Sequence, residues 1–284
     1  MSGAGPMTAI ADVYVALAER IAQRLGRPRV RALHLPAPAA AAKDAEFCAL
    51  ELEDGSIGFS FVRLGTEEAS LRLRHGAGAC AGMEAVELAR GYAGSDAAAK
   101  ALGFAAINAL SQQLFARAGW VPPQADDSLG DIAPARGEHI GMVGLFRPLL
   151  AQVSSAGARL TVLELRPELA GQHDDYRVTL APDDLATCDK VVSTCTVMLN
   201  DTLDAVVAAC RNARHVAIVG PTAGCVPDPL FARGVDSVGG RRVVDAQGFL
   251  DAFGHGRKWG SFAAKYVIAR QSYPGIDWLL QRVA

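Results

Sequence analysis

Residues 188–225, CDKVVSTCTVMLNDTLDAVVAACRNARHVAIVGPTAGC, set the expected fold class. The run Val191-Val192-Ser193-Thr194-Cys195-Thr196-Val197 is apolar and rich in β-branched residues, the composition of a strand buried on both faces of a parallel sheet. Asn200, Asp201 and Thr202 are good helix N-caps. Apolar residues then recur at helical spacing: Leu203, Val206, Val207, Cys210. A second buried run, His215 to Val219, stops at Gly220-Pro221-Thr222. Strand, helix and strand make a βαβ unit with a polar loop at the carboxyl end of each strand, where open α/β sheets bind ligands. Thr194, Thr196, Asn200, Gly220 and Thr222 fall at that mouth by fold logic. The bland alternative, equally weighted, is that they only cap helices and turns.

Working outward, 284 residues favour two domains, with a boundary in the polar, Pro-containing segment 120–139. The expected division is 1–125 and 138–284. A net charge of −2, spread without blocks, argues against nucleic acid or an anionic membrane as the main partner. No apolar run reaches the ~20 residues that span a bilayer. The amino-terminal stretch lacks the basic region of a signal peptide. Six cysteines without a CxxC pair fit a cytoplasmic protein with reduced thiols.

In the first part, apolar residues at 10, 13, 17, 21 and 25 mark a helix over Ile10–Leu25, and Val30 to Leu35 reads as a strand. FCALELEDGSIGFSFVRL has alternating segments around Asp54-Gly55, a tight-hairpin signal. Helices are expected over Met83–Tyr92 and Asp96–Ala118, giving an α+β pattern. From His139 the period changes to strand–helix alternation, which argues for a doubly wound parallel sheet. Ile140 to Gly144 reads as a strand and glycine turn, 145–156 as a helix and Leu160 to Leu165 as a strand. A short strand at Arg242–Val244, a helix at Ala246–Phe253 and a closing helical region from Trp259 complete the expectation.

The chemical signals are sparse. The first strand and turn, with Gly141, Met142 and Gly144, carry G-x-x-G and not the full dinucleotide fingerprint. Glu164, about 20 residues on, stands where an acid would bind a ribose hydroxyl. Cys195 and Cys225, each near the carboxyl end of a strand, could face one cleft as soft donors to a transition metal. His75, Cys80, His139, Cys188 and Met198 are conceivable further ligands; core packing is the competing reading for each cysteine. His255 lies in a Gly-rich basic turn, either an anion contact or an ordinary exposed turn. Asn108 is a polar residue on an apolar helical segment, either satisfied by backbone or pointing into a site. No G-x-S-x-G, H-E-x-x-H or P-loop occurs.

Four stretches carry a family resemblance: GFAAINAL (103–110), GMVGLFRPLL (141–150), STCTVMLNDTLD (193–204) and VGPTAGCVPDPLFARGVDSVGG (219–240). The chain, from the hairpin to about Asp245, resembles the uncharacterised bacterial and archaeal proteins named for a heavy-metal chelation domain. The resemblance implies an enolase-N-terminal-like α+β domain, then a Rossmann-like domain, with a site between them. The matched positions are Asn108, Gly141, Gly144, Thr194, Asn200, Thr202, Gly220, Pro221 and Thr222. The chain departs from the family pattern at Cys195 and Cys225.

The leading expectation is a protein that binds a metal, or a metal-bearing or metal-chelating compound, in an interdomain cleft. The loops after the first, third and fourth strands would form its floor and the helix of Asn108 its lid. The alternative is an enzyme acting on a nucleotide-like or adenosyl-containing ligand held by Gly141, Gly144 and Glu164. Whether a reaction is catalysed stays open at this point, and so does homo-oligomer formation.

Overall fold

The computed structural model describes residues 8–36, 46–74, 78–126 and 130–283. Helix α1 (Ile10–Arg24) buries Ile10, Tyr14, Leu17 and Ile21, spaced three and four apart on one face. Strands β1 (Val30–His34), β2 (Phe47–Leu52) and β3 (Ile57–Phe61) form a small antiparallel sheet. The β2–β3 turn is the expected one: Gly55 has φ +88° and donates its N–H to the Leu52 carbonyl at 2.9 Å. After α2 (Glu67–Arg74) and α3 (Ala85–Ala89), Asp96 starts α4 (Ala97–Arg117) by accepting the Ala99 N–H at 2.8 Å. The helix expected over Met83–Tyr92 is shorter, because a 3₁₀ turn takes over at Arg90–Ala93.

The second part begins with β4 (His139–Val143), α5 (Arg147–Ser155) and β5 (Arg159–Leu163). A small strand pair, β6 (Gly171–Gln172) and β7 (Arg177–Thr179), follows. Then come β8 (Lys190–Thr194), α6 (Leu203–Ala209), β9 (His215–Val219), α7 (Asp228–Phe231), β10 (Ser237–Val243), α8 (Ala246–Gly254), β11 (Ala263–Ala269) and α9 (Ile276–Arg282). The sheet order is β11-β10-β9-β8-β4-β5-β7-β6. Pairing is parallel from β7 through β10 and antiparallel at both edges. The chain enters mid-sheet at β4, builds outward to β7, returns to β8 and builds the other way. The order therefore reverses between β4 and β8, the switch point at which open α/β sheets leave a crevice.

Two expected elements change. The run AAKYVIA, taken as part of a closing helical region, is β11, paired with β10 at all seven positions. Its alanines are compatible with either state, and the exposed edge of β10 decides between them. The strand expected over 191–197 ends at Thr194, and a 3₁₀ turn covers Cys195–Met198.

One buried cluster runs through both parts of the chain. Val191, Val216, Ile218, Val238 and Ile268, from one face of the large sheet, share it with Tyr14 of α1 and Ile107 and Leu114 of α4. The opposite face packs Ile140, Met142, Val162, Val192 and Val219 with Val153 of α5. A third cluster sets Ala49 and Phe59 of the small sheet against Phe249 and Phe253 of α8, and Trp259 stacks on Phe59 at 5.0 Å. Every residue of α4 from Ala101 to Phe115 is buried. A helix apolar on all sides belongs inside a core, so α4 is a central element and not the lid expected of the Asn108 helix.

Candidate functional site

The carboxyl ends of β4, β8 and β9 lie in register: Val143 pairs with Ser193, and Thr194 with Val219. Gly144 follows β4 with φ +82°, and a Cβ there would come within 3.1 Å of Thr194 Cγ2. Gly220 follows β9 with φ +134° and lies against Cys195 Cβ. Thr194 Oγ1 and Thr196 Oγ1 are 3.1 Å apart, and the Thr196 N–H donates to Thr194 Oγ1 at 3.3 Å. Gly144, Thr194, Thr196, Gly220 and Pro221 are all half-buried. The fold thus gathers five of the expected residues at one mouth, and the polar groups these residues carry are hydroxyls and peptide groups.

Other candidates lie elsewhere. Gly141 is inside β4, where a Cβ would meet Leu185, Val191 and Cys188 at 3.0–3.1 Å; it serves strand packing and not the turn. Met142 is fully buried, and its sulfur accepts the Phe146 N–H at 3.3 Å. Glu164 points back to the first turn: it accepts the Leu145 N–H at 2.9 Å and the Leu165 N–H at 3.2 Å, and pairs with Arg166. Asn200 Oδ1 accepts from the Thr202 hydroxyl at 2.6 Å and the Thr202 N–H at 3.3 Å, closing the turn ahead of α6. His255 bonds to Asp251 on its own helix.

Cys195 and Cys225 sit behind the mouth, fully buried in the shared core. Burial, with the neighbouring Cys225, holds the Cys195 thiol well above its usual range. Burial likewise pushes Cys225 up to about 12, and its thiol donates to Tyr14 Oη at 3.2 Å. Metal ligation requires the thiolate, so an ion could reach these two buried thiols only by opening the core and displacing both protons. Among the described residues no group of three His, Cys, Asp or Glu side chains has metal-binding geometry. Cys80 and Met198 are buried as well. His139 and Cys188, 3.8 Å apart, lie at the amino end of β4, away from the mouth. His75 lies outside the described residues.

The loop after β9 is fixed by Asn108, which the sequence singled out, and by Tyr14, Ser111, Gln112 and Tyr266, which it did not. Asn108 Nδ2 donates to the Thr222 carbonyl at 2.7 Å, Tyr266 Oη to Ala223 at 3.2 Å, Gln112 Nε2 to Gly224 at 2.8 Å and Tyr14 Oη to Val226 at 3.0 Å. Ser111 Oγ accepts the Val226 N–H at 3.1 Å. All these side chains are buried, and burial raises both tyrosine hydroxyls, which keeps them protonated donors. The readable signal was the polar row Asn108, Ser111, Gln112 at helical spacing in an otherwise apolar helix.

Two family models, each described as "Putative heavy-metal chelation", match residues 131–271 and 45–111. An uncharacterized protein of Methanocaldococcus jannaschii is 30% identical over 156 residues, 53% of this chain and 57% of that protein. The match therefore spans little more than half of that relative. A protein of unknown function from Pyrococcus horikoshii has a similar structure, with a TM-score of 0.67 at 17% identity, covering 92% of this chain and 99% of that one. One from Desulfitobacterium hafniense gives 0.68 at 20% identity, covering 93% and 99%. Both solved structures are of the DUF364 family, and at these identities they show a shared fold. On the two model matches, which together take in most of the chain, this protein belongs to the family described as "Putative heavy-metal chelation".

Proposed function

We propose that the chain binds a small metal-bearing or metal-chelating compound at the mouth formed by the turns after β4, β8 and β9. In this reading it grips the organic part of that compound and not a naked ion. The observation that carries the reading is the chemistry of the mouth: Thr194 and Thr196, whose hydroxyls bond to each other, and the glycine turns at Gly144 and Gly220 are partly exposed, while both cysteines lie in the core. Hydroxyls and peptide groups hold a soft cation poorly. They hydrogen-bond well to the carboxylates or amides of a chelator. Glycine at both turns lets the backbone approach such a ligand closely. Asn108, Gln112 and Tyr266 act behind the surface by fixing the loop that carries Gly220 and Pro221. Residues 1–125 would then supply the support, α4 included, and residues 138–284 the contacts. The nucleotide-like alternative has less behind it, since both Glu164 oxygens are already engaged with backbone N–H groups.

Calorimetric titration tests the reading with zinc, copper and nickel ions, each alone and as its citrate or histidine complex. The expected result is saturable binding of at least one complex, weakened about tenfold or more by Thr194→Val, the worth of one charge-assisted hydrogen bond. Stoichiometric uptake of a bare ion that disappears in the Cys195→Ser/Cys225→Ser variant would replace this reading with a thiol site.

A further inference from the structure

The side of α4 that meets the loop after β9 carries a charge nearer the amino end of the helix. Lys100, Phe104 and Asn108 follow at four-residue intervals and so lie in one row along it. Asn108 reaches the loop after β9, and Lys100, two turns earlier, reaches the loop after β8. The Lys100 Nζ donates to both carboxylate oxygens of Asp201, at 2.7 and 2.6 Å. An ammonium has three N–H donors, and among the described residues Asp201 alone is bonded to this one.

The pair is lopsided. The Lys100 side chain is 12% exposed and that of Asp201 71%. Asp201 also holds φ +60°, in the left-handed region that residues other than glycine seldom occupy. It directly follows Asn200, whose N–H donates to the Thr196 carbonyl at 3.2 Å. The loop that brings Thr196 to the mouth therefore ends on this ion pair, and Thr196, Asn200 and Thr202 are all half-buried. Gly144, Thr194, Thr196, Gly220 and Pro221 carry no charge themselves. Lys100 is the cation that the central helix adds to their loop.

We propose that Lys100 is the anion-binding group of the mouth and that Asp201 occupies it in the unliganded chain, so that a carboxylate of the ligand replaces the Asp201 carboxylate on the ammonium. The inference rests on the chelate reading and narrows it to chelates that keep a net negative charge. The exchange swaps one carboxylate for another, so the largely buried ammonium never loses its counter-charge. The released Asp201 is already mostly in water, and ion pairs with so exposed a partner hold weakly. A lysine ammonium is a compact charge with three rotatable donors, which accepts a carboxylate from a new direction without rebuilding its surroundings. A neutral ligand brings nothing to replace Asp201 and leaves the pair closed.

The probes are the nickel–citrate complex, which is anionic, and the nickel bis-histidine complex, which is neutral. Each is titrated calorimetrically into the full chain at constant ionic strength. Asp201→Asn removes the competing charge and keeps a side chain that tolerates the left-handed turn. It should bind nickel–citrate about threefold tighter or more, since the ammonium no longer has to be vacated. Lys100→Met should bind nickel–citrate about tenfold more weakly or worse. Neither substitution should change the affinity for the neutral complex. A pair that only holds the turn in place gives a different pattern, in which both variants weaken both complexes. That pattern, or nickel–citrate binding that Asp201→Asn leaves unchanged, would overturn the exchange while the chelate reading stands. Failure of all three proteins to bind either complex would overturn the chelate reading and the exchange with it.

Discussion

Asn108 and Thr222 are joined across 114 residues of sequence by a hydrogen bond of 2.7 Å from the asparagine Nδ2 to the threonine carbonyl. The same Nδ2 donates to the Phe59 carbonyl at 2.6 Å, and Thr222 Oγ1 accepts the Phe61 N–H at 3.1 Å. These contacts close an open edge. Val62 donates to Glu46 and Leu52 to Ser56, so the even-numbered residues of β3 bond to β2. The odd-numbered residues must turn their N–H and C=O groups outward. A buried strand edge without partners would cost heavily. Asn108 and Thr222 take the place of a fourth strand.

Asn108→Ala should therefore lower the unfolding free energy by about 2–5 kcal/mol, since two buried carbonyls lose their donor at once. Asn108→Asp should be at least as damaging, because it turns a carboxylate toward two carbonyl oxygens. Urea unfolding followed by circular dichroism measures both. A change within about 0.5 kcal/mol, the range of ordinary surface substitutions, would mean that water replaces the amide there.

Gly58 tests the packing on the other side of that seam. A Cβ at this position would lie 2.2 Å from the Ala109 nitrogen and 2.3 Å from the Ala105 carbonyl oxygen, both backbone atoms of α4. Neither can move without displacing the central helix. Gly58→Ala should cost about 3 kcal/mol or more, or leave the chain unfolded. Gly254→Ala has open space around the new methyl group and should be neutral or slightly stabilising. Thermal melts of the two variants side by side separate steric exclusion from a general intolerance of alanine.

The local signals in the sequence were sufficient wherever structure is local. Asp54-Gly55 specified its hairpin, and the buried runs at 191 and 215 specified adjacent parallel strands. They failed where a distant partner decides. The stretch Ala263–Ala269 has a composition that suits a helix or a strand, and only the free edge of β10 selects strand. Strand alternation also left the side occupied by Cys195 undetermined, since a shift of one residue reverses the faces; the strand in fact stops one residue earlier. Tyr14, Gln112 and Tyr266 bond to a loop 212, 112 and 43 residues away, which no spacing rule can reveal. The polar row on α4 announced an unusual helix without saying what it faced.

All six cysteines are buried. Burial raises every thiol, with Cys48, Cys188, Cys210 and Cys225 at about 12. At pH 8 a thiol of that kind is ionised in about one molecule in ten thousand, and only the thiolate reacts. Native protein treated with a chromogenic disulfide reagent should release less than one equivalent within an hour, and protein in guanidinium should release six. Rapid modification of Cys195 or Cys225 in the native state would show that those thiols reach solvent, and would return them to consideration as metal donors.

His139 gives the stability a direction with pH. Its Nδ1 is 3.0 Å from the Thr187 carbonyl, which places a proton there, so Nε2 is free to accept from the Thr161 hydroxyl at 2.8 Å. Burial lowers its pKa below the usual histidine value; Arg159 also lowers it, while the Thr187 carbonyl and Asp189 oppose the change. Above pH ~6.5 the ring is neutral in both the folded and the unfolded chain and contributes no slope. Below that pH the unfolded chain takes up a proton that the folded one resists. Stability therefore falls as the pH drops from about 6.5 toward the folded pKa, by at most about 1.4 kcal/mol per pH unit from this group. His139→Gln keeps a polar side chain and cannot titrate, so its unfolding free energy should change less between pH 7 and pH 5 than that of the parent. Urea unfolding of both proteins across this range measures the difference, and parallel profiles would mean that His139 is protonated as readily in the fold as in the unfolded chain.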